Sequence, residues 1–196
     1  GGLGVTGNSA GNDIAREADV ILGIGTRFSD FTTASKSLFG ENARVVTINT
    51  SRFDAYKLDG VKVVADARLA IEGLHSLLQE KGYCSGYGDE VKVAKAAWEK
   101  EMEALSSYAY GEDFRPLIGA GDPRTIPEFV EMTGSCLTQT AAVAKIRERI
   151  APDAICVGAA GSLPGDLQRM WTSDSRYSYN MEYGYSCMGY EIAGAL

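Results

Sequence analysis

The sequence has little of the chemistry that marks several common kinds of functional site. It contains one histidine, His75, and four cysteines that lie between Cys84 and Cys187 without a CxxC pair. A zinc site is therefore not expected, and we expect a reducing, cytoplasmic setting. Because His75 lies on the flank of a predicted helix, the sequence disfavours a hydrolase built on a Ser–His or Cys–His pair.

Long apolar runs and an excess of positive charge are also missing. No apolar stretch approaches the ~20 residues that a membrane-spanning helix needs. The formal net charge is -7 and no basic stripe is present, so we expect neither nucleic acid nor membrane as a partner. The first residues show no charged segment followed by an apolar core, so no secretory signal is visible. With 45% hydrophobic and 23% charged residues, the composition is typical of a globular protein.

The first part of the chain alternates between predicted strands and helices. Apolar runs typical of strands buried on both faces lie at 19–25, 44–49 and 61–66. Residues 68–81 carry Leu69, Ile71, Leu74 and Leu78 as the predicted inner face of a helix that Gly82 ends. This alternation predicts an α/β fold with a Rossmann-like parallel sheet over residues 1–82.

A glycine turn follows the first predicted strand, at residues 23–28. It suggests dinucleotide binding, but the third glycine of the fingerprint is missing. Asn49 begins the stretch where a ribose-binding acid would be sought. We therefore favour a tight turn at the end of a strand, and a non-catalytic nucleotide-binding module stays open as an alternative.

The middle of the chain, residues 83–136, is predicted to separate two domains. After a turn-rich break, Asp89 is a plausible cap of a helix that runs to about Ser106. Residues 107–136 are rich in proline and glycine, which indicates a long connector over a surface.

A second α/β unit is predicted for residues 137–196. Thr138 is a plausible helix cap, and residues 154–159 read as a buried strand. A helix follows that strand, with Ser162 as its predicted cap and Pro164 in its first turn. A helix N-terminus after a buried strand is a natural anion site, which here would be formed by Gly161, Ser162 and Leu163.

The most informative stretch is Tyr183-Gly184-Tyr185-Ser186-Cys187-Met188-Gly189-Tyr190. Tyrosines alternate into it as in a half-buried strand, and a glycine-bounded turn then leads into a predicted helix. Glycines allow the backbone of such a turn to approach a ligand closely, although most such turns only connect two elements.

This stretch resembles the Gly-x-Met-Gly segment of the thiamine-diphosphate enzymes related to acetohydroxyacid synthase. The resemblance implies that Met188 holds the cofactor bent and that the Ser186 carbonyl accepts from its 4′-amino group, with Cys187 between them. It also implies that Gly161, Ser162 and Leu163 contact the diphosphate, where the family usually has glutamine and histidine. Thiamine diphosphate and Mg²⁺ are the implied cofactors.

The first part of the chain is similar to the second half of the central domain of the same enzymes. The matching residues are 17–22, 25–30 and 66–67, after a glycine-rich entry. The resemblance implies a nucleotide-binding fold without a catalytic nucleotide in this domain, followed by the start of a diphosphate-binding domain.

Residues 161–168 and 181–192 resemble one branch of the family in particular. That branch opens the ring of trihydroxycyclohexanedione by carbon–carbon bond hydrolysis in myo-inositol catabolism. The implied partner is a small cyclic dione, and Tyr183, Tyr185 and Tyr190 could line its pocket, although alternating tyrosines usually pack a strand. Another thiamine-diphosphate lyase or synthase, such as acetohydroxyacid synthase, stays open.

Both ends of the chain look interrupted, and we expect it to be an internal piece of a longer enzyme. The family's catalytic glutamate belongs to an N-terminal domain, and its Gly-Asp-Gly…Asn metal motif does not occur in this sequence. The resemblance therefore implies no catalytic residue and no metal ligand within these residues. For the intact enzyme we expect a homo-oligomer, a dimer or a tetramer.

Overall fold

The computed structural model describes residues 2–111, 114, 121–182, 185 and 187–196. The chain divides into two compact units, Gly1–Trp98 and Glu99–Leu196. The division falls within one long helix, α5, which spans Asp89–Ser107. Within the described ranges, no helix is both long and apolar enough to span a membrane.

The first unit is built around a three-stranded parallel sheet. Its strands are β1 (Val20–Ile24), β2 (Arg44–Asn49) and β3 (Val61–Val64), in the order β1-β2-β3. Its helices, besides the first part of α5, are α1 (Ser9–Glu17), α2 (Asp30–Thr33), α3 (Arg52–Ala55) and α4 (Ala67–Glu80). The predicted α/β fold with a parallel sheet is thereby confirmed.

Short polar side chains set where the helices of this unit begin. The side chains of Asn8, Ser29, Ser51 and Asp66 each accept from a backbone N–H in the first turn of α1, α2, α3 and α4, respectively. Such a bond satisfies one of the donors that a helix leaves unpaired at its N-terminus. The residues at which these helices begin are therefore determined by the local sequence.

The centre of the sheet holds the glycine turn that follows β1. Asn49, at the end of β2, is 8% exposed, and its amide donates to the Thr26 carbonyl at 2.9 Å. Its side-chain oxygen accepts from the Ser51 N–H at 2.9 Å. Asn49 stands where a dinucleotide-binding protein would have a ribose-binding acid. Its side chain bonds to the protein itself and holds the turn in place.

One face of β1 differs from the sequence-based prediction. Val20, Leu22 and Ile24 alternate along the strand and keep between 37% and 51% of their surface accessible, so the strand is not buried on both faces. A continuous apolar run does not say which face is covered. The opposite face is covered tightly: a Cβ at Gly23 would lie 2.2 Å from Cζ of Phe28.

The inner face of α4 also differs from prediction. Leu69 and Ile71 are exposed, whereas Leu74 and Leu78 are half-buried. The half-buried stripe continues from these two leucines through Ala70 to Ala67, at spacings of three and four residues. The small alanines conceal this stripe when only large apolar residues are counted.

The second unit contains a two-stranded parallel sheet, β4 (Cys156–Gly158) and β5 (Tyr179–Met181). Its helices, besides the end of α5, are α6 (Thr125–Thr133), α7 (Gln139–Arg149), α8 (Ser162–Met170) and α9 (Tyr190–Ala193). Thr138 caps α7 as predicted, since its hydroxyl oxygen accepts from the Ala141 N–H. The same hydroxyl donates to the Tyr108 carbonyl at 2.9 Å, which ties α7 to the end of α5.

Helix α6 lies in the stretch that was predicted to be a connector. Pro127 is the third residue of this helix, within the first turn, where the missing N–H costs little. Gly134 ends the helix with φ of 65°, a conformation that glycine adopts without strain. Proline and glycine therefore mark the two ends of a helix here, although their abundance in residues 107–136 predicted an irregular connector.

A pair of glycine substitutions tests this packing. Gly60 has φ of 153°, and a Cβ there would lie 2.2 Å from the Val45 carbonyl oxygen, so Gly60→Ala should destabilise the first unit by about 1–3 kcal/mol. In α4, a Cβ at Gly73 would meet no atom within 4 Å. Gly73→Ala should therefore stabilise the helix by about 0.5–1 kcal/mol. Urea unfolding followed by circular dichroism measures both, and equal shifts in the two variants would contradict the packing described.

Candidate functional site

Two loops of the second unit follow neighbouring parallel strands. The first loop joins β4 to α8, and the second joins β5 to α9. Gly158 and Met181, the last residues of the two strands, are partners in the register. Because the carboxyl ends of parallel strands lie at one edge of the sheet, both loops start from the same edge, which is where α/β proteins commonly bind ligands.

The first loop leads into a helix N-terminus that no side chain caps in the described part of the chain. Gly161 is the N-cap residue, with φ of 112°, and Ser162 is already the first residue of α8. The prediction that Ser162 caps the helix is therefore wrong, because Gly161 takes the non-helical conformation one residue earlier. Backbone N–H groups at an uncapped N-terminus are suited to bind an anion.

The body of α8 is held by polar and apolar contacts. Asp166 accepts from the side-chain amide of Gln139 on α7 at 2.6 Å. Pro164 and Met170 are buried, whereas Leu163, in the first turn, is exposed. The helix is thus anchored from Pro164 onward, while Ser162 and Leu163 at its start stay accessible.

The second loop exposes large side chains. Met188 is 87% exposed and Tyr185 is 83% exposed, and Cys187 is exposed as well. Exposure of an apolar side chain as large as Met188 shows that it contributes little to the core of this unit. Gly189 has φ of 89° and is the N-cap residue of α9, so the chain turns sharply directly after Met188.

Tyr190 is placed differently from Tyr185. It is half-buried at the start of α9, and its hydroxyl lies 3.5 Å from Oδ1 of Asn180 on β5. Its ring packs against the backbone of α9, since a Cβ at Gly194 would lie 2.6 Å from Tyr190 Cζ. Tyr183 and Ser186, also predicted as site residues, lie outside the described residues.

Glu182 is a residue of this region that sequence reasoning missed. It follows β5 directly, and its carboxylate accepts from the backbone N–H groups of Tyr185 and Cys187. An acidic residue two positions before a glycine carries no motif of its own, so only the fold reveals the contact.

The residues present fit a cofactor that has a diphosphate at one end and an aromatic ring system at the other. The uncapped first turn of α8 offers N–H donors to the anionic end. Met188 offers an adaptable apolar side chain that its own unit leaves exposed. Across the described ranges, no group of three or more His, Cys, Asp or Glu side chains is arranged to hold a metal ion.

Comparison with known proteins finds a family match in the first part of the chain. Residues 1–74 match the family described as the central domain of thiamine pyrophosphate enzymes. The predicted resemblance to thiamine-diphosphate enzymes is thereby confirmed.

The whole chain is similar to proteins of one particular kind. It is 57% identical over 195 residues to a 3D-(3,5/4)-trihydroxycyclohexane-1,2-dione hydrolase of Geobacillus thermodenitrificans, with 100% of this chain and 30% of the relative covered. Proteins of the same name from Clostridium botulinum and Clostridium perfringens are each 56% identical, over 98% and 100% of this chain. The chain spans 30–31% of the length of these relatives, and the predicted similarity to this branch is confirmed.

Thiol reactivity tests the exposure of the second loop. Cys187 is exposed, whereas Cys156 on β4 is half-buried, and burial raises the pKa of the Cys156 thiol. A raised pKa lowers the thiolate fraction near pH 8, so iodoacetamide should modify Cys156 about tenfold more slowly than Cys187. The exposed Cys84 serves as the control.

Peptide mass spectrometry against time measures the three rates. The ratio of the Cys187 rate to the Cys156 rate should fall as the pH rises towards the raised pKa of Cys156, because the thiolate fraction of Cys156 then increases. Modification of Cys156 before Cys187 would contradict the placement of these two residues.

Proposed function

We propose that this chain is part of a thiamine-diphosphate-dependent enzyme that hydrolyses a carbon–carbon bond of trihydroxycyclohexane-1,2-dione and so opens its ring. One observation carries the proposal. A chain that is 57% identical to hydrolases of this name over its whole length brings its two predicted cofactor loops to one edge of a parallel sheet. The reaction would belong to inositol degradation.

The first turn of α8 is proposed to hold the diphosphate. Gly161 and Leu163 lie at the uncapped helix end, where backbone N–H groups and the helix dipole favour negative charge. The hydroxyl of Ser162 adds a donor at the same end. Glycine at 161 also lets the phosphate approach the backbone, because it has no side chain to hold the anion off.

Met188 is proposed to pack against the cofactor and hold it in its bent shape. Its thioether is unbranched and polarisable, which suits packing against aromatic rings, and its exposure leaves it free to do so. Ser186 and Cys187 would contribute backbone groups beside it. When bound, thiamine diphosphate supplies the electron sink for the reaction, and the protein supplies orientation and electrostatics.

Tyrosines of the same loop are proposed to contact the substrate. Tyr185 is exposed and Tyr190 has a hydroxyl near Asn180, so both can present an apolar face and a polar tip to a polyol ring. Tyr183 is included in this proposal from its place in the sequence.

Several properties of the full-length enzyme complete the proposal. We propose that it requires Mg²⁺, held by residues outside this chain, and that it forms a homo-oligomer. We propose a cytoplasmic location, since the four cysteines of this chain are free and a reducing compartment keeps thiols in that state. Residues 1–82 are proposed to be part of the central domain, 83–136 the interdomain segment and 137–196 the start of the diphosphate-binding domain.

The two alternatives have less support. A nucleotide-binding role for the turn after β1 is disfavoured because Asn49 uses its side chain to hold that turn. Acetohydroxyacid synthase activity is disfavoured by the names of the relatives and by the absence of glutamine and histidine at the start of α8.

A substrate comparison tests the proposed function. The full-length enzyme with thiamine diphosphate and Mg²⁺ should consume trihydroxycyclohexane-1,2-dione and release an acyclic deoxy sugar acid, measured by mass spectrometry. Omitting the cofactor should abolish the reaction. Condensation of pyruvate without ring opening of the dione would instead assign the enzyme to the synthase branch.

A matched pair of methionine substitutions tests the role of Met188. In the full-length enzyme, Met188→Ala should lower turnover about tenfold or more, because the cofactor loses a supporting contact of roughly 1–2 kcal/mol. The loss of stability should be small, since Met188 is exposed. Met132 on α6 is also highly exposed, at 80%, so Met132→Ala should change neither property.

Steady-state kinetics and thermal melting of the two variants measure these effects. Normal turnover in Met188→Ala would refute the assigned role. An equal loss in both variants would show that the effect does not come from the loop.

A further inference from the structure

The loop that carries Met188 is held by a carboxylate. Oε1 of Glu182 accepts from the Tyr185 N–H at 3.0 Å, and Oε2 accepts from the Cys187 N–H at 3.1 Å. Each oxygen therefore accepts from a different backbone N–H of the loop. The side chains of Tyr185, Cys187 and Met188 are exposed, so apolar packing of these three residues contributes little to the shape of this loop.

Glu182 is itself anchored to the sheet. It directly follows β5, and its backbone N–H donates to the Gly158 carbonyl, at the end of β4, at 3.0 Å. Its side chain is half-buried. The sheet thus fixes the backbone of the residue whose carboxylate contacts the loop.

We propose that Glu182 is a positioning residue that holds the loop before Met188 in the shape that receives the cofactor. This inference rests on the proposed function. The N–H of a planar peptide unit turns only with its whole plane. The two bonds to the N–H groups of Tyr185 and Cys187 therefore restrain the backbone that leads to Met188.

The chemistry of the contact explains why a carboxylate is needed. In this structure the two backbone donors use different oxygens of the carboxylate, and hydrogen bonds to an ionised acceptor are the stronger kind. Glutamine at 182 would keep one acceptor and set its NH₂ group against the second N–H. Aspartate would keep both acceptors on a side chain that is one methylene shorter.

The experiment uses the full-length enzyme with Glu182→Gln, Glu182→Asp and a control, Glu131→Gln, which removes an exposed charge on α6. Glu182→Gln should lower kcat about tenfold, leave KM for the dione within about twofold, and raise the Kd for thiamine diphosphate about tenfold. It should also change the near-ultraviolet circular dichroism of the bound cofactor. Glu182→Asp should recover part of kcat, and the control should match the wild type in all measurements.

Several results would overturn the proposal. Glu182→Gln with wild-type kcat, Kd and dichroism would remove the assigned role. A fall in melting temperature together with an unchanged cofactor spectrum would show a structural role alone. If the Glu182 variants do not fold, amide hydrogen exchange of the wild-type enzyme decides: slow exchange at Tyr185 and Cys187 supports the contact, and exchange at free-peptide rates overturns it.

The outcome stays distinct from that of the proposed function. A wild-type enzyme that binds thiamine diphosphate without opening the dione ring would refute the proposed reaction, while the cofactor Kd and spectrum of the variants would still test Glu182. An enzyme that binds no thiamine diphosphate would refute the cofactor, and amide exchange would then still decide whether Glu182 holds the loop.

Discussion

The pairing of β4 with β5 is the constraint on which the candidate site depends. Each strand has only three residues, yet their parallel register sets Gly158 beside Met181. Both loops then start from neighbouring points and run into helices, with Glu182 bonded across the end of the pair. An antiparallel arrangement would send the two loops to opposite edges of the sheet, and no residue of α8 could then act together with Met188.

The two units both contain a parallel sheet with helices, but they differ in how the helices that follow their strands begin. In the first unit, side-chain caps close the helix starts, and the amide of Asn49 holds the turn after β1. In the second unit, α8 begins at a glycine without a capping side chain, and the next loop exposes Met188. Side chains therefore satisfy helix N–H donors at the starts of α1 to α4, whereas the donors at the start of α8 and the side chain of Met188 stay accessible.

Much of the fold could be predicted because it is encoded locally. The apolar runs of β1, β2 and β3 and the cap at Thr138 are short-range signals, and all were recognised in the sequence. The candidate loops were found in the same way, since Gly161 and Met188 lie in contiguous motifs. Similarity to known enzymes gave these motifs a meaning that spacing alone does not provide.

The remaining features depend on tertiary contacts, or on residues whose local sequence allows more than one conformation. Phe28 lies over Gly23 and so determines which face of β1 is covered. Its position results from tertiary packing, which the local sequence does not reveal. The N-cap residue of α8 is Gly161 and not the predicted Ser162, because a glycine can adopt the positive φ that a serine avoids. Glu182 escaped notice because its partners are backbone groups, which have no sequence signature.

The exposure of Met188 also has a consequence for redox chemistry. A thioether that lies almost entirely in solvent is open to oxidants, and methionine sulfoxide is polar where methionine is apolar. Oxidation would thus place a polar oxygen on the side chain proposed to pack under an aromatic ring. A bound cofactor would cover the sulfur and protect it, so enzyme without its cofactor would be the form that oxidants damage, and reductases of methionine sulfoxide could reverse that damage.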